Sequence, residues 1–244
     1  MTLAIALVGA TGRMGRLVAD VVEGMDGYEI GLGLHAGDDL ARVAEADLVV
    51  DLTLPQVSPR VAQAAVEARR PLLVGTSGWS RDRVSALRAT LPPDAPGILI
   101  VPNFSVGAVL GGVFAEQAAR WFDSIEIVEA HHEAKADSPS GTAVATAERM
   151  NAARAELGPV SAPHTDQRAR GQQVGSIPVH SLRLAGVLAR QEVLLGGQGE
   201  LLTIRTETTS PVAYAPGIRI ALQALPRIAG VVVGLERLLL PPAD

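Results

Sequence analysis

Short apolar runs punctuate the first part of the chain, and each is followed by a stretch whose apolar positions recur every three to four residues. Residues 2–8 (TLAIALV), 28–34, 48–52 (LVVDL), 71–74 (PLLV) and 97–101 (GILIV) read as strands. Their runs are continuous rather than alternating, as strands covered on both faces require. Between them, the turn after residue 8 enters a helix to residue 23, and residues 41–45, 58–68 and 81–90 read as further helices. Strictly alternating strands and helices predict an α/β fold: a Rossmann-like, doubly wound parallel sheet with helices on both faces.

Beyond residue 104 the pattern changes. Residues 107–122 read as one longer helix, 124–132 as a strand and 141–155 as a helix. Residues 158–175, rich in Gly, Pro, Ser and Gln, read as an exposed loop. Three strand-like runs follow at 178–184, 191–195 and 200–208. In the last, Leu202 and Ile204 face one way and Thr203, Arg205 and Glu207 the other, the period of a sheet with one solvated face. A second, α+β domain with a mixed, mostly antiparallel sheet is expected. Residues 218–227 read as a last helix, and the apolar 231–240 segment is expected to pack back on the first domain.

Composition narrows the function. The 244 residues are 48% hydrophobic and carry a net charge of −5, which provides a core and no basic footprint for nucleic acid. Aromatic residues are 3%, too few for a base-stacking surface. No apolar run is long enough to span a bilayer and no leader is visible, so neither a membrane nor a nucleic-acid partner is expected. There is no cysteine, which excludes disulfides and thiolate ligands and fits the cytoplasm.

Two stretches carry chemistry. The first, Gly9-Ala10-Thr11-Gly12-Arg13-Met14-Gly15, joins the first strand to the first helix. Gly9 permits the tight turn, Gly12 lets backbone approach a pyrophosphate, and Gly15 lets helix and strand pack closely. A plain strand-to-helix turn would use the same glycines for geometry alone. Dinucleotide sites usually place an acid at the end of the second strand to bind ribose hydroxyls. Here that strand ends at His35, and the nearest acid, Asp38, is expected to lie beyond the strand end in the following turn.

The second stretch, His131-His132-Glu133-Ala134-Lys135, contains the chain's single lysine among 21 basic residues. Ser140 is suited to cap the helix that follows, leaving the Gly141 and Thr142 amides pointing out of its N-terminus. Two imidazoles, an ammonium and a helix end are all donors, suited to carboxylates. Lysine and histidine can also release a proton where arginine cannot. Each residue alone also fits an ordinary core or surface position. No metal is expected, because Glu133 is the sole further ligand type nearby.

At these residues the chain resembles the dihydrodipicolinate reductase family. The resemblance rests on VGATGRMG (8–15), VGTSGW (74–79), VPNFSVGAVL (101–110), EAHHEAKADSPSGTA (129–143), HSLRLAG (180–186) and GELLTIR (199–205), and spans essentially the whole chain. It implies reduction of 4-hydroxy-tetrahydrodipicolinate by NADPH or NADH in the diaminopimelate route to lysine. It implies that His131 and Lys135 handle the proton, and that His132, Lys135, Ser140, Gly141, Thr142 and Arg183 meet the dicarboxylate substrate. Gly9, Ala10, Thr11, Gly12, Arg13, Met14, His35, Gly75, Thr76, Ser77, Val101, Pro102, Asn103 and Phe104 would line the cofactor. A dinucleotide-binding domain of residues 1–104 and 214–244, a substrate-binding and oligomerisation domain of 105–213, and a homotetramer are implied as well. Two departures stand out: His35 where many members have an acid, and Gly75-Thr76-Ser77-Gly78-Trp79 for the commoner Gly-Thr-Thr-Gly-Phe. The residues alone leave open a reductase of another small dicarboxylate, or a dinucleotide sensor without chemistry; a sensor has no use for proton donors beside an anion site.

Overall fold

The structure, a computed structural model, describes residues 2–240. In chain order, β1 (Leu3–Val8), α1 (Arg13–Glu23), β2 (Tyr28–Leu34), β3 (Leu48–Asp51), α2 (Ser58–Glu67), β4 (Leu72–Val74), α3 (Arg81–Thr90) and β5 (Ile98–Ile100) lead to α4 (Val106–Ala118). Then come β6 (Ser124–His131), α5 (Gly141–Ala153), β7 (Gln172–Val174), β8 (Ile177–Arg183), β9 (Ala189–Gly197) and β10 (Glu200–Thr208). The chain closes with α6 (Ala215–Ala224), β11 (Val231–Val233) and α7 (Glu236–Leu239). It divides into two compact units, Met1–Val106 with Pro211–Asp244, and Gly107–Ser210.

The first unit is built on a parallel sheet in the order β11-β5-β4-β3-β1-β2. Its central strands are fully buried: Ile5, Val49, Val50, Leu72, Leu73, Val74, Ile98 and Leu99 are all 0% exposed, which is why their runs carry no polar alternation. The register pairs Val8 with Asp51, Asp51 with Val74, and Val74 with Ile100, so four strands end on one edge. The ends are tied by a relay of amides. Leu52 N donates to Val8 O (2.9 Å), Gly75 N to Asp51 O (2.9 Å), and Val101 N to Val74 O (2.8 Å).

The second unit has a mixed sheet, order β10-β9-β6-β8-β7. β6 and β8 are parallel; the other pairs are antiparallel. Ile125, Ile127, Ile177, Val179, Val193 and Leu195 from this sheet pack with Ala115, Ala143, Ala147 and Met150 of α4 and α5 in one buried cluster.

Several elements differ from the sequence expectation. The 158–175 loop ends in the strand β7, which pairs with β8 across a turn at Gly175 (φ +59). The 231–240 segment packs back on the first unit as expected, but does so partly as a strand: Val231–Val233 adds a sixth strand beside β5, bracketed by Gly230 (φ +63) and Gly234 (φ +95). Three β-branched residues between two such glycines suit a short edge strand. β9 runs from Ala189 to Gly197, longer than its apolar stretch, because its ladder with β10 continues through Arg190↔Glu207 and Gly197↔Glu200. The 107–122 helix gives way to a tighter 3-10 turn at Ala119–Trp121.

Candidate active site

The glycine turn sits at the edge where the parallel strands end. Gly9 has φ +90, and a Cβ there would lie 2.5 Å from Leu52 O. A Cβ on Gly15 would lie 2.3 Å from Gly9 O. Both glycines are therefore required by the fold itself. Gly12 is different. Its backbone is extended (φ −66, ψ 165), and an added Cβ would meet a single atom, Gly9 O at 3.2 Å. Gly12 is also the N-cap of α1 and offers no side-chain hydrogen bond to the helix. Thr11, Gly12 and Arg13 are exposed beside these amides. The first turn of α1 thus presents backbone N–H groups without a side-chain cap, the arrangement that accepts a phosphate.

The neighbouring ends hold the rest of the expected cofactor set. Gly75 follows β4, and a Cβ there would fall 2.6 Å from the Leu52 side chain and 2.7 Å from the Phe104 ring. Ser77 and Pro102 are exposed and Asn103 half-buried, whereas Val101 (0%) and Phe104 (4%) turn their side chains inward. A residue outside the expected set organises them. Asp51, 0% exposed, accepts from Thr53 N (3.0 Å), Thr53 Oγ1 (2.6 Å), Thr76 Oγ1 (3.0 Å) and Ser58 Oγ. Ser58 Oγ in turn accepts from Trp79 Nε1 at 2.8 Å, which gives the tryptophan of the Gly-Thr-Ser-Gly-Trp stretch a partner. The available signal was an acid closing an apolar strand, with hydroxyls two and seven residues later.

Asp38 lies beyond the strand end in the turn after β2, as expected, but its side chain folds back. Gly37, at φ +96, turns the chain so that Asp38 Oδ2 accepts from His35 N at 2.7 Å. An exposed imidazole and a carboxylate thus stand together after β2.

In the second unit, His131 closes β6 and Arg183 closes β8, directly paired in the parallel register. Ser140 caps α5 by accepting from Ala143 N (3.2 Å), which leaves Gly141 and Thr142 in the first turn. Lys135 donates from Nζ to Asp137 Oδ1 at 2.7 Å, and this bond holds the Asp137 carboxyl below its ordinary range. Among the described residues the His132 ring has no hydrogen-bond partner. Five of the expected residues, His131, His132, Lys135, Ser140 and Arg183, are thereby brought to one end of this sheet with the α5 N-terminus.

Beneath them lies Glu129, fully buried and absent from the expected set. Burial alone would push its carboxyl up; hydrogen bonds from His131 and Arg183 outweigh this and hold it at about 2. The group is an anion at neutral pH and can only accept. His131 Nδ1, 2.6 Å from Glu129 Oε2, must therefore carry the proton, and Nε2 is the nitrogen left for exchange. Arg183, expected to reach substrate, has its N–H groups engaged by Glu129, Lys135 O (3.3 Å), Leu182 O (2.7 Å) and Asp137 O, so that five N–H donors meet five oxygens.

Among the described residues no group of three or more His, Asp or Glu side chains is arranged to hold a metal, and no helix is long and apolar enough to cross a membrane.

Comparison with known proteins agrees with these features. Residues 3–104 match the family model described as dihydrodipicolinate reductase, N-terminus, and residues 107–239 match dihydrodipicolinate reductase, C-terminus. A 4-hydroxy-tetrahydrodipicolinate reductase of Clavibacter sepedonicus is 55% identical over 240 residues, 98% of this chain and 87% of that protein. One from Streptomyces griseus subsp. griseus is 43% identical, over 97% of this chain and 98% of that one. Among solved structures, dipicolinate-bound dihydrodipicolinate reductase from Paenisporosarcina sp. TG-14 superposes with a TM-score of 0.83 at 26% identity, covering 97% of this chain and 99% of that one. A probable dehydrogenase from Thermotoga maritima shares the fold alone, with a TM-score of 0.61 at 10% identity. The chain belongs to the dihydrodipicolinate reductase family.

Proposed function

We propose that this chain reduces 4-hydroxy-tetrahydrodipicolinate to tetrahydrodipicolinate and water, at the expense of NADPH or NADH and one proton, in diaminopimelate and lysine synthesis. The first unit takes the dinucleotide: the uncapped α1 N-terminus and Gly12 receive its pyrophosphate, and Gly75, Thr76, Ser77, Pro102 and Asn103 line the rest. When bound, the reduced nicotinamide supplies the hydride. The second unit takes the dicarboxylate. The Gly141 and Thr142 amides and the His132 ring bind carboxylate, and Lys135 adds an ammonium that can also give up a proton. His131 can take up or return a proton through Nε2, with one proton consumed overall. The observation that carries this reading is the His131–Glu129 contact. It leaves an imidazole with one defined reactive nitrogen beside an ammonium and a helix N-terminus, an arrangement with no purpose in a sensor.

The same reading makes the protein a cytoplasmic homotetramer. Leu182 (39% exposed) and Leu201 (66%) stand on the sheet face turned away from α4 and α5, apolar surface that a second copy would cover.

The test is oxidation of reduced nicotinamide by purified protein with the product of aspartate-semialdehyde and pyruvate condensation. Lys135→Arg keeps the charge and removes the releasable proton. It should lose about 10²–10⁴-fold in kcat, the span of a general acid. A nearly parental Lys135→Arg enzyme would show the ammonium to be incidental, and no turnover by folded parent protein would sink the reading altogether.

A further inference from the structure

We infer that Glu129 and Arg183 are positioning residues for this reaction: the buried carboxylate selects the nitrogen of His131 that exchanges the proton, and the guanidinium fixes the segment carrying Lys135. The inference rests on the proton-handling roles proposed for His131 and Lys135.

The hydrogen-bond inventory is closed. A carboxylate has about four acceptor sites. Glu129 Oε2 accepts from His131 Nδ1 (2.6 Å) and Arg183 Nη1 (3.0 Å); Oε1 accepts from Arg183 Nη2 (3.0 Å) and Ser140 N (3.2 Å). Every partner belongs to the candidate site: the imidazole, its neighbour across the β6–β8 pair, and the cap of the helix whose amides face the substrate carboxylate. The remaining Arg183 donors reach the carbonyls of Lys135, Leu182 and Asp137, so the guanidinium clasps the backbone at both ends of the Lys135–Asp137 segment.

Stability does not account for this arrangement. An ion pair with Glu129 at 0% and the Arg183 side chain at 19% exposure carries a desolvation cost that packed apolar side chains would avoid. What an apolar pair could not do is choose a tautomer. Free imidazole favours neither task, and Glu129 imposes one. The spacing also serves this end. Glu129 and His131 are two residues apart on β6 and so share a face, and Arg183 is the register partner of His131. The charged groups around the imidazole are Glu129 on its own strand, Arg183 on β8, and Lys135 and Asp137 in the loop; its partner on β9, Ala189, is uncharged.

The experiment has two parts. Long-range proton–nitrogen correlation on histidine-labelled protein reports the tautomer without any turnover. Neutral His131 should carry its proton on Nδ1 in the parent. A second population protonated on Nε2 should appear in Glu129→Gln and in a doubly apolar Glu129→Leu/Arg183→Met variant, which removes both charges and so keeps the fold. In the kinetic part, Glu129→Gln should lower kcat tenfold or more. KM for the nicotinamide cofactor should stay within about twofold, a split that a merely destabilised fold would not show. Arg183→Lys should lower kcat while His131 keeps its Nδ1 proton. An Nε2-protonated ring in the parent overturns the inference, as does a kcat near parental in Glu129→Gln. If instead His131→Ala turns over at the parental rate, the proton role of His131 falls, and the tautomer measurement still decides whether Glu129 governs the ring.

Discussion

Gly12→Ala and Gly9→Ala should separate what the fold needs from what the dinucleotide needs. Gly9 sits at φ +90, where an L side chain costs about 1–2 kcal/mol. Its new methyl would also be driven to 2.5 Å from Leu52 O and 2.9 Å from Leu52 C, both backbone atoms that cannot rotate away. Overpacking of that kind costs about 1–3 kcal/mol more. Together these predict a loss of roughly 2–5 kcal/mol, a fall in melting temperature on the order of 10 °C. Gly12→Ala meets neither obstacle. Its φ of −66 suits alanine, and its one close contact is 3.2 Å from Gly9 O. The lower entropy of the unfolded chain offsets that contact by about 0.4–1 kcal/mol, so the melting temperature should move by no more than about 3 °C. A methyl between the α1 amides and a pyrophosphate would cost a charge-assisted hydrogen bond, about 1.5–3 kcal/mol. That is roughly a 10- to 100-fold rise in KM for NADPH and NADH, with kcat at saturating cofactor little changed. Thermal melts and initial-rate kinetics on both variants suffice. A Gly12→Ala enzyme with parental cofactor KM would refute the placement of the pyrophosphate. One that melts as early as Gly9→Ala would show that Gly12 is there for folding.

Two further outcomes follow from the same geometry. Glu129 is held at about 2 in the folded chain against an ordinary 4.5, so folding favours its ionised over its protonated form by about 3 kcal/mol, a preference that is complete above the ordinary value and disappears as pH falls from about 4.5 to about 2; urea unfolding of parent and Glu129→Gln should differ more at pH 6 than near pH 2, and a parallel pair of curves would contradict the assignment. NADPH and NADH should both be used, because His35 removes the usual acid at the end of β2 while Asp38 restores a carboxylate beside it. Asp38→Ala should raise the NADPH-to-NADH ratio of kcat/KM several-fold and His35→Asp should lower it, and a parent enzyme that works with only one of the two would show that this end of β2 has been misjudged.

What could be read from the sequence was whatever a contiguous stretch encodes. The central strands of the first unit were visible because burial on both faces leaves unbroken apolar runs. The glycine turn was visible because its three glycines fall at fixed spacing between an apolar strand and a helix; Gly15 answers a contact inside that unit, whereas the contact that Gly9 answers, with Leu52, comes from β3. His131, Lys135 and the Ser140 cap lie within ten positions, so their chemistry reads off together. β7 and β11 escaped because three residues hold no period, and the glycines that bracket β11 declare a turn without saying what lies between.

The buried acids near the two candidate sites were illegible for a different reason. Glu129 looks like a lone acid in an apolar strand until Arg183, 54 positions later, and Ser140, 11 positions later, are brought to it by the β6–β8 pairing and the return of α5. Asp51 gains Thr76 from 25 positions away only when β3 and β4 align. A buried anion is tolerable only where donors converge on it, so each of these acids states a requirement that sequence shows and a solution that only the sheet supplies. That ordering also bears on Arg183. Arg183 is a cation near an anion-binding end and reads as a substrate ligand. The fold had already assigned its donors to the carboxylate that orients the imidazole and to the backbone that carries the lysine. In both units, then, the residues expected to meet the ligands lie in local strings, while the buried acids beneath them find their partners across the sheets.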